Sequence, residues 1–358
     1  MGINLPNSSY AGRAIQGFGL LVLLLSVACN TEAPVISPTT APQALNSPLA
    51  TPTKSMQSEQ NTITPTLQTA DPSGSGLVRY SGGQGYLAFA TDMNGNYQIG
   101  LLDLKSGQTS FLTDSPSPGD AEPRWSLDGQ LLYFVSGRDQ SSGYVIYSAK
   151  RDGSSQQPLI QVPGRNTINA GFAVSPDGRQ ALFHTNRDGN FEIYVTDIDG
   201  RSPRNLTNHP ANDVTAVWSP DGAKIIFASD RQDNEYQLFE MNLDGSGIAP
   251  FISAPGTSNY APRFSPSGKR LAFITRESLV GAPQIAVYEM STGRFDIVTN
   301  GFDTHARPDW INDSTLVYAS RVSEGVPWGI FSLDFEKRIR TTLLAGRGNF
   351  TDPAWIND

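Results

Sequence analysis

The sequence predicts an all-β protein, a six-bladed β-propeller whose first blade is completed by the C-terminal strand. Three observations predict this fold. The composition is rich in turn formers, with 34 Gly and 25 Pro among 358 residues. One motif recurs with the period of a four-stranded blade, and the two ends of the repeat array complement each other. The single cysteine excludes an intramolecular disulfide, and a chain of this length can bury a sufficient core without one.

The repeated motif is a strand that ends in an anchor residue and is followed by a tight turn such as Ser219-Pro220-Asp221-Gly222. Proline at the second turn position and aspartate at the third favour this turn. An apolar strand, a polar turn, another strand and an Asp-Gly hairpin then follow. The anchors are spaced 49, 44, 46, 46 and 45 residues apart, and they are Trp125, Val174, Trp218, Phe264, Trp310 and Trp355. This period is typical of one propeller blade.

The ends of the array predict how the ring closes. The first repeat begins at Tyr86 and offers three strands within 86–113, but no innermost strand. The chain stops after an innermost strand, 351–358. We expect this last strand to complete the first blade, because closure removes exposed sheet edges. The other five blades are expected at about 121–160, 169–207, 214–252, 260–299 and 306–345.

Residues 1–28 are predicted to be a lipoprotein signal peptide. Arg13 precedes an apolar run over 17–27 that is too short to span a membrane. Ala28 directly before Cys29 resembles the bacterial lipobox, with Ser26 where leucine is usual, and this implies lipidation of Cys29. An ordinary signal peptide with an incidental cysteine is the alternative. We therefore expect an exported protein, anchored in a membrane on the cell surface or in the periplasm.

Residues 29–80 are predicted to be a disordered tether. Seven prolines between Pro34 and Pro72 are set among Thr, Ser, Ala and Gln, and no aromatic residue lies between Cys29 and Tyr80. Such a segment buries too little apolar surface to offset its chain entropy. The propeller is then expected at 81–358.

Charge argues against one class of partner. The net charge is −8, and residues 1–80 contain three basic and three acidic side chains, so the acidic excess lies in the globular part. Nucleic-acid binding needs a basic surface, and we therefore expect no nucleic-acid partner.

The repeat also resembles a known family. The pattern Pro-x-Trp-Ser-Pro-Asp-Gly, then Ser/Thr-x-Arg, Ile-Tyr and Asp-Gly, resembles the TolB-type propeller repeat; 185–194 and 229–231 carry it here. The resemblance covers about 85–358. It implies an envelope function, since TolB works in the periplasm with a peptidoglycan-associated lipoprotein. TolB carries an α/β domain before its propeller, whereas this chain has the predicted tether there, so we expect a lipoprotein without that domain.

The candidate binding site is predicted at the mouth of the central channel, where loops enter the innermost strands. Five residues before the anchors stand Asp120, Asn169, Asp213, Asn259, His305 and Phe350. Three residues before them stand Glu122, Gly171, Thr215, Ala261, Arg307 and Asp352. If the strands are regular, the first set rings the mouth. The candidate binding residues are Asp120, Glu122, Asn169, Asp213, Asn259, His305, Arg307 and Asp352. Arg124, Arg263 and Asp309, one residue before their anchors, receive no role.

Two interpretations of these residues stay open. A polar funnel would bind a peptide, a small ligand or a cation, and the oxygens of Asp120 and Asp213 suit a calcium ion. Alternatively, Asp and Asn cap the turns that lead into the strands. No other cofactor or metal is predicted. Arg138, Arg187 and Arg231, each 13 residues after an anchor, are interpreted as scaffold.

The favoured function is a binding scaffold and not an enzyme. We expect a monomer that binds an envelope protein or a peptidoglycan-associated component. The alternative is a propeller enzyme, a lyase or hydrolase acting on carbohydrate or lactone, that uses channel-mouth carboxylates and His305. Neither a Gly-x-Ser-x-Gly elbow nor a paired-histidine zinc motif occurs in the sequence, and no catalytic residue is assigned.

Overall fold

The computed structural model describes residues 78–79, 83–139, 143–161, 167–232, 234–277, 281–300 and 303–357. The predicted signal peptide, Cys29 and all of the predicted tether except residues 78–79 lie outside the described residues. In the part of the chain that is described, no helix is long and apolar enough to cross a membrane.

The described strands form six antiparallel sheets, one per blade, and this confirms the predicted fold class. Blade 1 contains β2 (Tyr86–Thr91), β3 (Gln98–Asp103), β4 (Thr109–Phe111) and β25 (Phe350–Ile356). Blade 2 contains β5 (Asp120–Trp125), β6 (Leu131–Ser136), β7 (Val145–Lys150) and β8 (Gln157–Ile160). Blade 3 contains β9 (Asn169–Val174), β10 (Gln180–Thr185), β11 (Glu192–Asp197) and β12 (Arg204–Asn205).

The remaining three blades follow the same order along the chain. Blade 4 contains β13 (Asp213–Trp218), β14 (Lys224–Ser229), β15 (Gln237–Asn242) and β16 (Ala249–Ile252). Blade 5 contains β17 (Thr257–Phe264), β18 (Arg270–Glu277), β19 (Gln284–Glu289) and β20 (Arg294–Ile297). Blade 6 contains β21 (Thr304–Asn312), β22 (Thr315–Arg321), β23 (Gly329–Asp334), β24 (Ile339–Ala345) and an added strand, β1 (Val78–Arg79).

The ring closes as the ends of the array predict. The C-terminal strand β25 pairs with β2, with Trp355 opposite Leu87, and so supplies the innermost strand of blade 1. The added strand β1 pairs with β24, with Val78 opposite Ala345. These two residues fall in the segment that the sequence assigns to the tether, and a two-residue strand is too short to give a sequence signal. They cover part of the outer edge of blade 6, which would otherwise be unpaired.

The core lies between neighbouring blades. In each blade, the second strand counted from the channel carries a fully buried aromatic residue at its fourth position. These residues are Phe89, Phe134, Phe183, Phe227, Phe273 and Tyr318. Their strands are almost continuously apolar, because each sheet is covered by a neighbour on both faces. Burying one such ring contributes about 1.5–3 kcal/mol.

The tryptophan anchors join adjacent blades. Trp125, Trp218 and Trp310 are buried, as the sequence predicts. Each indole Nε1–H donates to a carbonyl oxygen of the preceding blade, in the residue just before the anchor of that blade. The acceptors are Ala354 at 3.1 Å, Ala173 at 3.0 Å and Arg263 at 2.9 Å, respectively.

Candidate functional site in the central channel

A β-bulge in the innermost strand of each blade decides which side chains face the channel. In blade 2, pairing with the second strand shifts between Ala121 and Arg124, and the same shift occurs in the other five blades. The residue three before each anchor takes a left-handed conformation; the φ values are 53° (Glu122), 69° (Gly171), 53° (Thr215), 54° (Ala261), 52° (Arg307) and 51° (Asp352). The expectation of regular innermost strands is therefore wrong.

The bulge had a sequence signal that was not used. Proline follows the left-handed residue in four blades, as Pro123, Pro262, Pro308 and Pro353. Proline cannot donate to a strand ladder, so within sheets it is confined to edges, strand starts and bulges. The innermost strand is an edge strand of its sheet, so four prolines at one position mark a residue whose backbone does not donate to the ladder.

The polar residues five before the anchors lie inside their blades. Asp120, Asn169 and Asp213 have no exposed surface. Each is bound by the Nη2 of an arginine 18 residues later in the same blade. These contacts, called the clamp contacts below, are Arg138–Asp120 at 3.0 Å, Arg187–Asn169 at 3.2 Å and Arg231–Asp213 at 2.9 Å.

Aromatic rings hold the clamp arginines in place. The guanidinium carbons lie 4.7 Å, 4.5 Å and 5.1 Å from the ring centroids of Tyr147, Tyr194 and Phe239, for Arg138, Arg187 and Arg231 in that order. Cation–π contact and the buried hydrogen bond act together on each guanidinium. This geometry agrees with the interpretation of these arginines as scaffold.

The equivalent positions of blades 5 and 6 are also buried. Asn259 donates from Nδ2 to Gln237 Oε1 at 2.9 Å. His305 is 3% exposed and packs edge-on against Tyr318, and neither of its ring nitrogens has a hydrogen-bond partner among the described residues. Burial, with a smaller effect of Arg340, lowers the pKa of His305 to about 4. The structure thus places Asp120, Asn169, Asp213, Asn259 and His305 within the blades instead of around an open mouth, and binding by them stays a prediction.

Three of the candidate residues do meet at the channel, and all three occupy bulge positions. Arg307 of blade 6 contacts Glu122 of blade 2 through Nη2–Oε1 at 2.7 Å, and Asp352 of blade 1 through Nε–Oδ1 at 2.9 Å. The Arg307, Glu122 and Asp352 side chains are 13%, 3% and 8% exposed. This triad therefore links blades 6, 1 and 2 around the closure of the ring.

Glu122 and Arg307 of this triad are both charged at neutral pH. Burial opposes the charge on Glu122, but Arg307, with smaller effects of His184 and the Gly171 amide, lowers the pKa of Glu122 to about 2. Burial also opposes the charge on Arg307, but Glu122 and Asp352 outweigh it and raise the Arg307 pKa.

The bulge amides on the other side of the channel bind side chains of the preceding blade. The Gly171 amide donates to Glu122 Oε2 at 2.9 Å, and the Ala261 amide donates to Thr215 Oγ1 at 3.3 Å. Between these two blades, Gly171 has no side chain that could accept a hydrogen bond from the Thr215 amide. The His184 ring occupies the space instead, since a Cβ on Gly171 would lie 2.4 Å from His184 Nδ1. The same Nδ1 accepts from the Thr215 amide at 3.5 Å. Burial lowers the His184 pKa to about 4, so its ring is neutral at pH 7.

Two arginines to which the sequence analysis assigned no function also line the channel. Arg124 and Arg263 border a small cavity together with Arg307, and the other lining residues are Gly171, Thr215, Ala261 and Pro308. Burial lowers the pKa of both Arg124 and Arg263. Their recurrence one residue before the anchors in blades 2 and 5 was visible in the sequence, but only the bulge shows that this position reaches the channel.

Asp120 and Asp213, whose oxygens would suit a calcium ion in one of the two interpretations, lie in different blades. Asp120 and Asp213 belong to blades 2 and 4, and each is already bound to its own arginine. Among the residues that the structure describes, no group of three or more His, Cys, Asp or Glu side chains is arranged to hold a metal ion.

A closed ring of six antiparallel sheets, five with four strands and one with five, defines a six-bladed β-propeller, here with charged residues along its axis. Residues 154–357, more than half of the chain, match the model of the TolB beta propeller domain. The chain belongs to the TolB β-propeller family.

Individual proteins agree with this assignment. The chain is 31% identical over 271 residues to the Tol-Pal system protein TolB of Bordetella parapertussis, covering 75% of this chain and 58% of that protein. The crystal structure of TolB from Acinetobacter baumannii is similar with a TM-score of 0.63 and 24% identity, covering 76% of this chain and 66% of that one. The chain spans about half the length of the curated relatives it matches, between 42% and 58%.

Propeller enzymes share the fold as well. An oligogalacturonate lyase in complex with manganese is similar with a TM-score of 0.53 and 15% identity, covering 78% of this chain and 84% of that one. At this identity the likeness concerns the fold alone.

Proposed function

We propose that the protein is an exported envelope module whose propeller binds a protein partner, either an envelope protein or a peptidoglycan-associated component. The observation that carries this proposal is the match of residues 154–357 to the TolB propeller, together with relatives that belong to the Tol-Pal system. Binding is preferred to catalysis, because His305, the histidine that the enzyme alternative needs, is buried against Tyr318.

The two faces of the ring differ, and this difference supports the choice of one face for the proposed binding surface. One face, called the turn face, carries the tight turns after the anchors. In three blades these turns share one hydrogen bond between a serine hydroxyl and an aspartate: Ser126–Asp128, Ser175–Asp177 and Ser219–Asp221. Half of the blades thus present the same turn on this face, which offers little to distinguish one partner from another.

The opposite face, called the loop face, carries the connections that enter the innermost strands. They include 114–119, 208–212 and 253–256, which differ in length and sequence. Pro116, Pro210 and Pro255 are exposed there. Such loops on a closed, rigid ring present a preorganised surface, which limits the entropy lost on binding. We therefore place the partner on the loop face.

The decisive experiment compares one kind of substitution on the two faces. Pro116→Arg and Pro255→Arg place a bulky charge on the loop face, and Leu127→Arg places the same group on the turn face, where Leu127 is 59% exposed. In-cell crosslinking of the full chain, read out as a discrete crosslinked species, should weaken for the two loop-face variants and persist for Leu127→Arg. Equal crosslinking by all three folded variants would contradict the proposal.

The route to the envelope is proposed from the sequence. We propose that residues 1–28 direct export and that Cys29 carries a lipid anchor, with the following segment holding the propeller away from the membrane. Cys29→Ser should release the protein into the soluble fraction of cells that export it. Retention of the variant in the membrane fraction would contradict the anchor.

A further inference from the structure

We propose that the loop-face end of blade 6 binds an acidic segment of the partner protein, in which a carboxylate lies next to an apolar side chain. The residues that form this surface, called the blade-6 patch below, are Arg321, Val322, Val326 and Trp328. The inference rests on the proposed function, since it names the part of the loop face that binds and the chemistry of the segment bound there.

The blade-6 patch spans the end of β22 and the connection 322–328 that leads to β23. Strands within a blade are antiparallel, so this kind of connection lies on the same face as the chain that enters the innermost strands. Hydrogen bonds between the two confirm the placement. The Asn212 amide donates to Asp230 Oδ1 at 2.7 Å, and the Phe350 amide donates to the Trp328 carbonyl oxygen at 3.0 Å.

Exposed apolar side chains distinguish this connection from its equivalents. Val322 and Val326 are 58% and 39% exposed. In the equivalent connections of blades 1, 3 and 4, the exposed residues that the structure describes are polar or glycine, such as Asn94, Asp188 and Gln232. Exposed apolar groups that lie together favour contact with another molecule.

Arg321 brings a guanidinium without a carboxylate to the same place. In blades 2 and 4 the clamp arginines stand two residues after a serine, but Arg321 follows Ser320 directly and pairs with Thr304 as part of β22. Its guanidinium carbon lies 4.9 Å from the ring centroid of Trp328. Among the described residues Arg321 forms no salt bridge, its Nε has no hydrogen-bond partner, and Glu324, the acid of this connection, is exposed. A carboxylate of a bound segment would supply the acceptor that the guanidinium lacks.

Hydrogen bonds hold the patch in place before a partner arrives. The Trp328 amide donates to Asn349 Oδ1 at 3.1 Å. Asn349 in turn donates from its amide and from Nδ2 to the two carboxylate oxygens of Asp92, each at 2.7 Å. Tryptophan and arginine are the side chains that most often dominate binding energy, and a preorganised pair loses little entropy on binding.

The apolar part of the patch favours a protein segment over a glycan. Val322 and Val326 offer no polar group to sugar hydroxyls, which would lose hydrogen bonds to water there without replacement. An apolar side chain can pack against both valines while a neighbouring carboxylate reaches Arg321. The bound segment therefore carries Asp or Glu beside an apolar residue.

The test is photocrosslinking of the full chain in cells, with a benzophenone side chain at position 322 or, as the matched loop-face position in blade 4, at position 232. Position 322 should form one discrete adduct with a protein segment that contains Asp or Glu. Arg321→Gln should reduce this adduct about tenfold or more, as expected for the loss of a hydrogen bond to a charged group. Arg179→Gln, exposed on the turn face, should leave it unchanged.

Two further variants separate binding from folding. The Tm of Arg321→Gln should stay within about 3 °C of the wild type, because only the contact with the Trp328 ring is lost. Arg321→Glu should lose the adduct, and replacing the acid of the crosslinked partner segment by arginine should restore it.

The proposal is overturned if position 232 forms an adduct and position 322 does not; the partner would then bind elsewhere on the loop face, and the proposed function would stand. It is also overturned if Arg321→Gln keeps the full adduct, or if position 322 attaches to a glycan or to residues 29–77 of the same chain. The absence of an adduct from both positions would contradict the loop-face partner as well.

Discussion

The clamp contacts and the channel contacts both use arginine, bound to a carboxylate or, in blade 3, to an asparagine oxygen, but they join different parts of the ring. Each clamp contact joins residues 18 apart within one blade, and it recurs with little change in blades 2, 3 and 4. The channel contacts join different blades, as in Arg307–Glu122, which are 185 residues apart. No channel position carries the same charge in all six blades. Residues that recur in several blades therefore stabilise the single blade, whereas residues that differ from blade to blade make the contacts between blades.

The largest expected effect comes from breaking a clamp contact. Asp213→Ala leaves the Arg231 guanidinium, which is 13% exposed, without its carboxylate, and the free energy of unfolding should fall by about 3–5 kcal/mol. Urea unfolding measures this. Asp199→Ala is the matched control, since the Arg201–Asp199 pair is 80% and 48% exposed and should contribute no more than about 1 kcal/mol. Similar losses of unfolding free energy in the two variants would show that the buried clamp contact stabilises the protein no more than the exposed pair does.

A smaller effect is expected at the channel, where Gly171 makes room for His184. Gly171→Ala should lower the free energy of unfolding by about 2–3 kcal/mol, because the new Cβ meets the His184 ring at a position that already has a positive φ. Gly189→Ala is the control, as its φ of 112° is strained too but nothing lies within 4 Å. If both variants lose the same stability, backbone strain accounts for the whole effect and the His184 contact contributes nothing.

The smallest effect at neutral pH is expected at His305. His305→Phe keeps the edge-on contact with Tyr318 and removes two ring nitrogens that have no partner, so the free energy of unfolding at pH 7 should change by less than about 1 kcal/mol. Its effect on pH dependence is larger. The folded-state pKa of about 4 lies below the usual 6.5, so the unfolded state binds the proton first, and stability is lost as pH falls from about 6.5 to 4.

Denaturant melts between pH 7 and pH 4 check this expectation. The wild type should lose stability over that window through His184 and His305, which share the same shift, and His305→Phe should remove part of the loss. An unchanged pH dependence would mean that the pKa of His305 is not lowered in the folded protein.

The fold could be predicted from the sequence because it depends on signals that recur. The anchors, the tight turns and the missing innermost strand of blade 1 together predict six blades and their closure by β25. The candidate site could be predicted only in part. The structure brings Glu122, Arg307 and Asp352 together at the channel. His305 and the aspartate and asparagine residues of the clamp contacts, which a regular strand would place around the mouth, lie inside the blades, and binding by any of these residues stays a prediction.

The bulge is the physical reason why the positions of the candidate site residues could be predicted only in part. One extra residue exchanges the two faces of a strand, and the left-handed position is occupied by six different residue types, of which only Gly171 signals a positive φ. The four prolines that follow the left-handed residue are a local signal of an irregular strand, and the spacing of the anchors does not contain that signal. Contacts between blades, such as Arg307 with Glu122, have no local signal at all.

Repeated residues build the ring, and we propose that the loop face recognises the partner. One paired measurement tests this division: the free energy of unfolding and the in-cell crosslinking of Asp213→Ala and Pro255→Arg, each in the full chain. We expect Asp213→Ala to lose stability and keep its crosslink while folded, whereas Pro255→Arg should keep its stability and lose the crosslink. A folded Asp213→Ala protein without the crosslink, or a Pro255→Arg protein that retains it, would contradict this division.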